Sequence, residues 1–257
     1  MTRIGRTCAA IVCALMLVTP VVAADDIKVV TSGAFSAALQ ELVPAFEAQT
    51  HHTVTTSSGG SMGSAPDTIP NRLARGEPID VVILAASALD DLIAQGKVAS
   101  GTRVDLVRSR IGMAVRKGTP KPDVSTVDAF KRALLQARSI AYSSSASGVY
   151  LSTDLFPRLG IADALKDKVR VIAGGPVGLA VARGDAEIGF QQISELQPVA
   201  GIEIMTELPP EVQHVTIFSG GITVAAAARE SARALLQFLA SPAAAGAIRK
   251  SGLEPAR

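Results

Sequence analysis

The chain has 257 residues, a formal net charge of +2, 48% hydrophobic and 4% aromatic residues, two cysteines and no tryptophan. A near-neutral balance with no basic stripe excludes a nucleic-acid surface, and so few aromatics argue against a sugar-stacking site. The length suffices for one large or two small domains held by core burial alone.

The expected elements begin with a leader. Arg3 and Arg6 form a basic segment, residues 8–18 are apolar, and Thr19-Pro20 breaks the run. Val21-Val22-Ala23 and Val22-Ala23-Ala24 both fit a small-residue cleavage site. The apolar stretch is shorter than the ~20 residues of a membrane span. Residues 1–24 therefore read as a removable signal peptide, with export to the periplasm, no membrane anchor, and a mature chain starting near Ala24 or Asp25. Cys8 and Cys13 both lie in this leader. The mature chain then has no disulfide, thiolate metal site or cysteine nucleophile.

Strand and helix patterns alternate from there. Strands are expected at 27–30, 54–56, 80–84, 111–116, 140–142, 169–172, 188–190 and 202–205, with 214–225 extended. Helices are expected at 36–49, 69–75, 87–95, 126–137, 148–159, 176–183, 228–239 and 242–251. The alternation predicts an α/β fold of mostly parallel sheet covered on both faces. Two lobes fit best, because the junctions described next fall in both halves and a cleft would bring them together. Residues 25–107 with 222–257 are assigned to the first lobe and 108–221 to the second.

Three Ser/Gly-rich junctions separate a strand pattern from a helical one: Thr31-Ser32-Gly33-Ala34-Phe35, Ser57-Ser58-Gly59-Gly60-Ser61-Met62-Gly63, and Ser143-Ser144-Ser145-Ala146-Ser147-Gly148-Val149-Tyr150. A strand that turns into a helix through small hydroxyl residues offers free N–H groups, O–H donors and the positive end of a helix dipole. Each junction also reads as a plain N-cap. Together they point to a cleft that grips a small anion, with Ser61 and Ser147 as the foremost side-chain donors.

Other residues carry two readings each. Arg75 either pairs a carboxylate bidentately or is a solvated cation near a helix C-terminus. Tyr150, one of two tyrosines, either packs in the core or bonds the ligand. Gln191 and Gln192 follow a short buried strand, where consecutive amides are unusual; one is expected to face the cleft. Asp80 opens a buried strand and is expected to bond loop amides. No metal-ligand spacing, P-loop or Gly-x-Ser-x-Gly elbow occurs, so neither metal nor cofactor is expected.

The chain resembles type II periplasmic solute-binding proteins, in particular the molybdate-binding proteins of ABC importers. The likeness runs through Ile27-Lys28-Val29-Val30, the helix opening Ser36-Ala37-Ala38-Leu39-Gln40-Glu41, Gly76-Glu77-Pro78-Ile79-Asp80-Val81-Val82-Ile83, Gly148-Val149-Tyr150, Gly184-Asp185-Ala186-Glu187-Ile188-Gly189 and Phe238-Leu239-Ala240-Ser241-Pro242. It implies two lobes around an anion cleft and an ABC permease as partner; with no patch for a partner helix, a monomer is expected. It also places Ala34, Ser61, Ala85, Gly148 and Val149 at the ligand, beside the junction residues Ser32, Gly33, Gly60, Ser145 and Ser147. A serine of the molybdate cage is replaced by Ala34, its tyrosine aligns with Gln191 or Gln192, and the second junction carries extra residues around 66–70. These departures favour a planar or multi-carboxylate anion over molybdate. Aconitate isomerases are related to the same family. Two readings follow: first a receptor that captures a small anion for import, and second an isomerase moving a proton along an allylic unit, with Tyr150 and Glu195 as its proton-transfer groups.

Overall fold

The computed structural model describes residues 24–257. The expected leader, apart from Ala24, lies outside the described residues. The chain runs β1 (Asp26–Thr31), α1 (Gly33–Thr50), β2 (Thr53–Ser58), α2 (Ile69–Ala74), β3 (Val81–Ala85), α3 (Ala86–Ala94) and then the long β4 (Val104–Arg116). It continues α4 (Val127–Gln136), β5 (Ile140–Ser143), α5 (Ala146–Tyr150), a π turn (Leu151–Leu155), α6 (Phe156–Arg158), α7 (Ala162–Leu165), β6 (Val169–Ile172), α8 (Val177–Arg183), β7 (Ile188–Gln192), α9 (Ile193–Leu196) and β8 (Ile202–Met205). β9 (Val215–Ile222), α10 (Arg229–Leu239), a 3₁₀ turn (Pro242–Ala244), α11 (Ala245–Lys250) and β10 (Glu254–Pro255) complete it.

The strand order is β2-β1-β3-β9-β4-β7-β5-β6, with β8 and β10 added beside β4. β1 pairs in parallel with β2 and β3 in the first lobe, and β5 pairs in parallel with β6 and β7 in the second. β4 joins the lobes: its residues 104–110 pair with β9 and its residues 111–115 with β7. Only the second part of β4 shows in the sequence pattern, because Arg108, Ser109 and Arg110 interrupt the apolar run at the crossing. β9 pairs throughout with β3 and the first part of β4. We therefore place the return crossing ahead of Val215 rather than at residue 222.

Each lobe builds its own core. In α1, Phe35, Leu39, Leu42 and Phe46 are buried on one stripe and pack with Phe218 and Leu236. In the second lobe Ile111, Phe130, Tyr142, Phe156 and Phe190 cluster together. Asp80 staples the first lobe as expected: it accepts from the N–H groups of Lys28 at 2.9 Å and Ala227 at 2.8 Å. The parallel pairings align the strand ends, with Thr31 beside Ser58 in one lobe and Ser143 beside Ile172 in the other. Both sets of carboxyl ends open on one crevice, where α/β sheets bind ligands.

The expected helix 148–159 is broken into α5, the π turn and α6. Ser152 Oγ donates to the Gly148 carbonyl at 2.8 Å, and Thr153 Oγ1 donates to that of Val149 at 2.8 Å. These hydroxyls compete for helix carbonyls, and Pro157 has no N–H to continue the ladder. An extra residue in the turn is the result.

Candidate functional site

A cavity of about 420 Å³ lies between the lobes, within the range of small-molecule sites. One wall is the first junction and the start of α1, with Ser32, Gly33, Ser36 and Gln40, together with Gly60 and Thr68 from the second junction. The opposite wall is the third junction, residues 143–147, with the loop 172–176. Gln191, Gln192, Ser194 and Glu195 close the end, beside Phe218. Among the described residues that line it, none is lysine or arginine, and Asp67 and Glu195 are the acids. An anion here is met by backbone N–H groups, hydroxyls, amides and helix N-termini rather than by a countercharge.

The lobes touch across the cleft. The Ser61 N–H donates to Ser145 Oγ at 3.0 Å. Ser61 Oγ, itself fully buried, accepts from the Ala85 N–H at 3.0 Å. Ser143 and Ser147 share a hydrogen bond at 3.2 Å, and Ser36 Oγ lies 3.2 Å from Ser58 Oγ. Most of the conspicuous serines thus already have partners.

Glu195 is the distinctive group. Gln191 Nε2 donates to its Oε1 at 2.9 Å, while Gln191 Oε1 accepts from the Val177 N–H at 2.7 Å. The amide thereby ties the carboxyl to the start of α8. Burial pushes the Glu195 carboxyl up to about 7, against the opposing pull of the hydrogen bonds from Gln191 and Gln192. The carboxyl reaches the first residue of α1, where a Cβ on Gly33 would collide with Oε1. Glycine at 33 is what lets an acid from the second lobe sit at this helix start.

Several expected ligand residues fall outside the cavity wall. Ala34 is buried in the first-lobe core. Ser61 Oγ accepts from the Ala85 N–H, and neither residue lines the cavity. Arg75 is turned away: it pairs with Glu77 at 2.7 Å and donates to the Pro66 carbonyl at 2.6 Å. Gly148 packs so closely on the Ser143 carbonyl that no Cβ fits, and Val149 continues α5 behind it. Tyr150, expected as a proton-transfer group, is not among the residues that line the cavity. Its hydroxyl donates to the Val212 carbonyl at 3.2 Å and accepts from Arg158 at 3.1 Å, and its ring stacks on His214 with centroids 4.5 Å apart. Ser32, Gly33, Gly60, Ser145, Ser147, Gln191, Gln192 and Glu195 do line the cavity.

Gln191 and Gln192 end β7 rather than follow it. Gln192 is engaged at the crossing, accepting from Ser109 Oγ at 2.8 Å and donating to Thr216 Oγ1 at 3.3 Å. Thr68 entered the sequence reading only as one of the extra residues around 66–70, and Ser194 and the loop carrying Gly174-Gly175-Pro176 had no site reading. That loop repeats the strand-glycine-helix pattern of the other junctions, with Gly175 at φ +81°, and its Gly-Pro punctuation was the available signal.

The family described as bacterial extracellular solute-binding protein matches residues 27–254. An aconitate isomerase from Pseudomonas sp is 50% identical over 244 residues, covering 94% of this chain and 93% of that protein. The periplasmic molybdate-binding protein of Azotobacter vinelandii superposes with a TM-score of 0.70 at 24% identity, over 88% of this chain and 98% of that one. The sulfate-binding protein of Mycobacterium tuberculosis superposes with a TM-score of 0.72 at 16% identity, over 90% and 87%. With the two-lobed fold and the interlobe cavity, these matches show that the chain belongs to the bacterial extracellular solute-binding protein family.

Proposed function

We propose that this protein is an exported isomerase of an unsaturated tricarboxylate, interconverting trans- and cis-aconitate on a solute-binding scaffold. The observation that carries the reading is Glu195, a half-buried carboxyl raised to about 7 at the end of an interlobe cavity with no lysine or arginine in its described wall. A group that must accept and return a proton works best when its pKa lies near the working pH. The 50% identity to an aconitate isomerase, spread over nearly both chains, supports the same reading. It reverses the order of the two sequence readings, in which the receptor came first.

The chemistry needs a single base. The Glu195 carboxylate takes a proton from the substrate methylene carbon. The C–H electron pair forms a new C=C bond, and the old double bond shifts its charge into the adjoining carboxylate. The Glu195 carboxylic acid then returns the proton to the far carbon of the allylic unit, so atoms and charge balance with no other reactant. The extra charge in the intermediate is borne by N–H groups at the start of α1 and at the third junction. Gln191 holds the carboxyl in place without itself reacting. The leader-like N-terminus supports a periplasmic location.

The test is incubation of the purified protein with trans-aconitate, followed by proton NMR. The expected result is conversion to cis-aconitate, lost by roughly 10²- to 10⁴-fold in Glu195→Gln. Tricarboxylate binding with no turnover in the wild type would leave a receptor, with an ABC permease as its partner.

A further inference from the structure

We infer that the hydroxyls of Thr68 and Ser194 are the side-chain donors that hold two separate carboxylates of the ligand, one from each lobe. Their class of ligand rests on the polycarboxylate reading above. Among the described residues, the buried side-chain polar atoms with no hydrogen-bond partner are Thr68 Oγ1 and Ser194 Oγ. Thr68 is 1% exposed and Ser194 2%, and both residues line the interlobe cavity. Buried hydroxyls are ordinarily satisfied, because stranding one costs its desolvation. Each oxygen is covered in this arrangement, so a turn about the side-chain bond is what presents the hydroxyl to a ligand in the cavity that its residue walls.

The local sequence explains why each hydroxyl stays unpaired. Thr68 occupies the N-cap of α2, where a threonine ordinarily accepts from the second or third N–H of the helix. Pro70 fills the second position and has no N–H, and the Thr68 side chain makes no cap bond. Thr68 belongs to the extra residues of the second junction and packs over Gly60, next to Ser145 of the other lobe. Ser194 lies in α9 directly before Glu195 and makes no back-bond to a helix carbonyl. It therefore places one ligand carboxylate beside the proton-transfer group. The hydroxyls of Ser36 and Ser58 pair with each other, as do those of Ser143 and Ser147, while those of Ser61 and Ser145 are held as acceptors of backbone N–H groups. Two anchoring points on opposite lobes select an anion with spaced carboxylates over a single tetrahedral oxyanion.

The probes are tricarballylate, the saturated tricarboxylate, and molybdate, titrated calorimetrically against wild type, Thr68→Val, Ser194→Ala and the rescue variant Thr68→Ser. Tricarballylate has no double bond to move, so its binding reads the donors independently of turnover. The wild type is expected to prefer tricarballylate. Thr68→Val and Ser194→Ala should each weaken that binding by roughly ten- to a hundredfold, and Thr68→Ser should restore it. The melting temperature without ligand should hold or rise in both variants, since neither loses a protein hydrogen bond. Wild-type affinity in both variants overturns the inference. So does a fall of many degrees in the ligand-free melting temperature, or a wild type that binds neither probe. Absence of aconitate turnover alongside the expected binding pattern would refute only the catalytic reading.

Discussion

Glu195 makes the sharpest demands at the scale of the residue. Its carboxyl is raised from 4.5 to about 7 by burial, so between those values the folded state holds a proton that the unfolded chain releases. The stability this group contributes is complete at and below about pH 4.5 and is lost as pH rises to about 7. Glu195→Gln should flatten that part of the stability–pH curve, measured by chemical denaturation at several pH values. Gly33→Ala puts a methyl where the carboxyl lies, and displacement of a reacting group costs on the order of a hundredfold in rate. Turnover of trans-aconitate in this variant should fall accordingly, with the fold intact by circular dichroism. The sequence pointed to Glu195 only through its family likeness. Nothing in its local pattern discloses that an acid on a four-residue helix meets a glycine more than 160 positions earlier. Ser61 shows the converse. It was the foremost donor by composition, yet its hydroxyl is taken by the Ala85 amide, a pairing set by tertiary contact.

The strand-to-helix junction is the unit that matters among the elements. Its sequence signature was legible because small residues at a strand end have few other uses, and the first and third junctions do wall the cavity. The fourth, around Gly174-Gly175, carries no serine cluster and was passed over. The breaks in regular structure were also hidden, since the π turn depends on hydroxyls of Ser152 and Thr153 folding back on carbonyls. Ser61→Ala is now expected to act on stability, because it strands the buried Ala85 amide. The loss is about 1–3 kcal/mol in chemical denaturation. Gly148→Ala should be worse, because its Cβ collides with the Ser143 carbonyl and the third junction must move to admit it. A drop in melting temperature of several degrees, with reduced ligand-induced stabilisation, is the expected reading.

The whole molecule combines two lobes, one strand shared between them and one cleft. The α/β class and the two lobes were readable from alternating periodicity, because buried parallel strands are short apolar runs between amphipathic helices. The extent of β4 was not, because one strand serves both lobes and its polar middle breaks the pattern. No helix among the described residues is long and apolar enough to cross a membrane. The bond from the Ser61 N–H to Ser145 Oγ links the lobes across the cleft. Ser145→Ala should therefore lower ligand affinity modestly, by roughly two- to tenfold, the worth of a neutral hydrogen bond. Catalysis through Glu195 is read by kcat/KM for trans-aconitate across pH in wild type and Glu195→Gln. The wild-type rate should rise through about pH 7 as the free carboxyl ionises, and Glu195→Gln should fall below it by roughly 10²- to 10⁴-fold. Undiminished conversion in Glu195→Gln, or none in the wild type at any pH, would contradict that role.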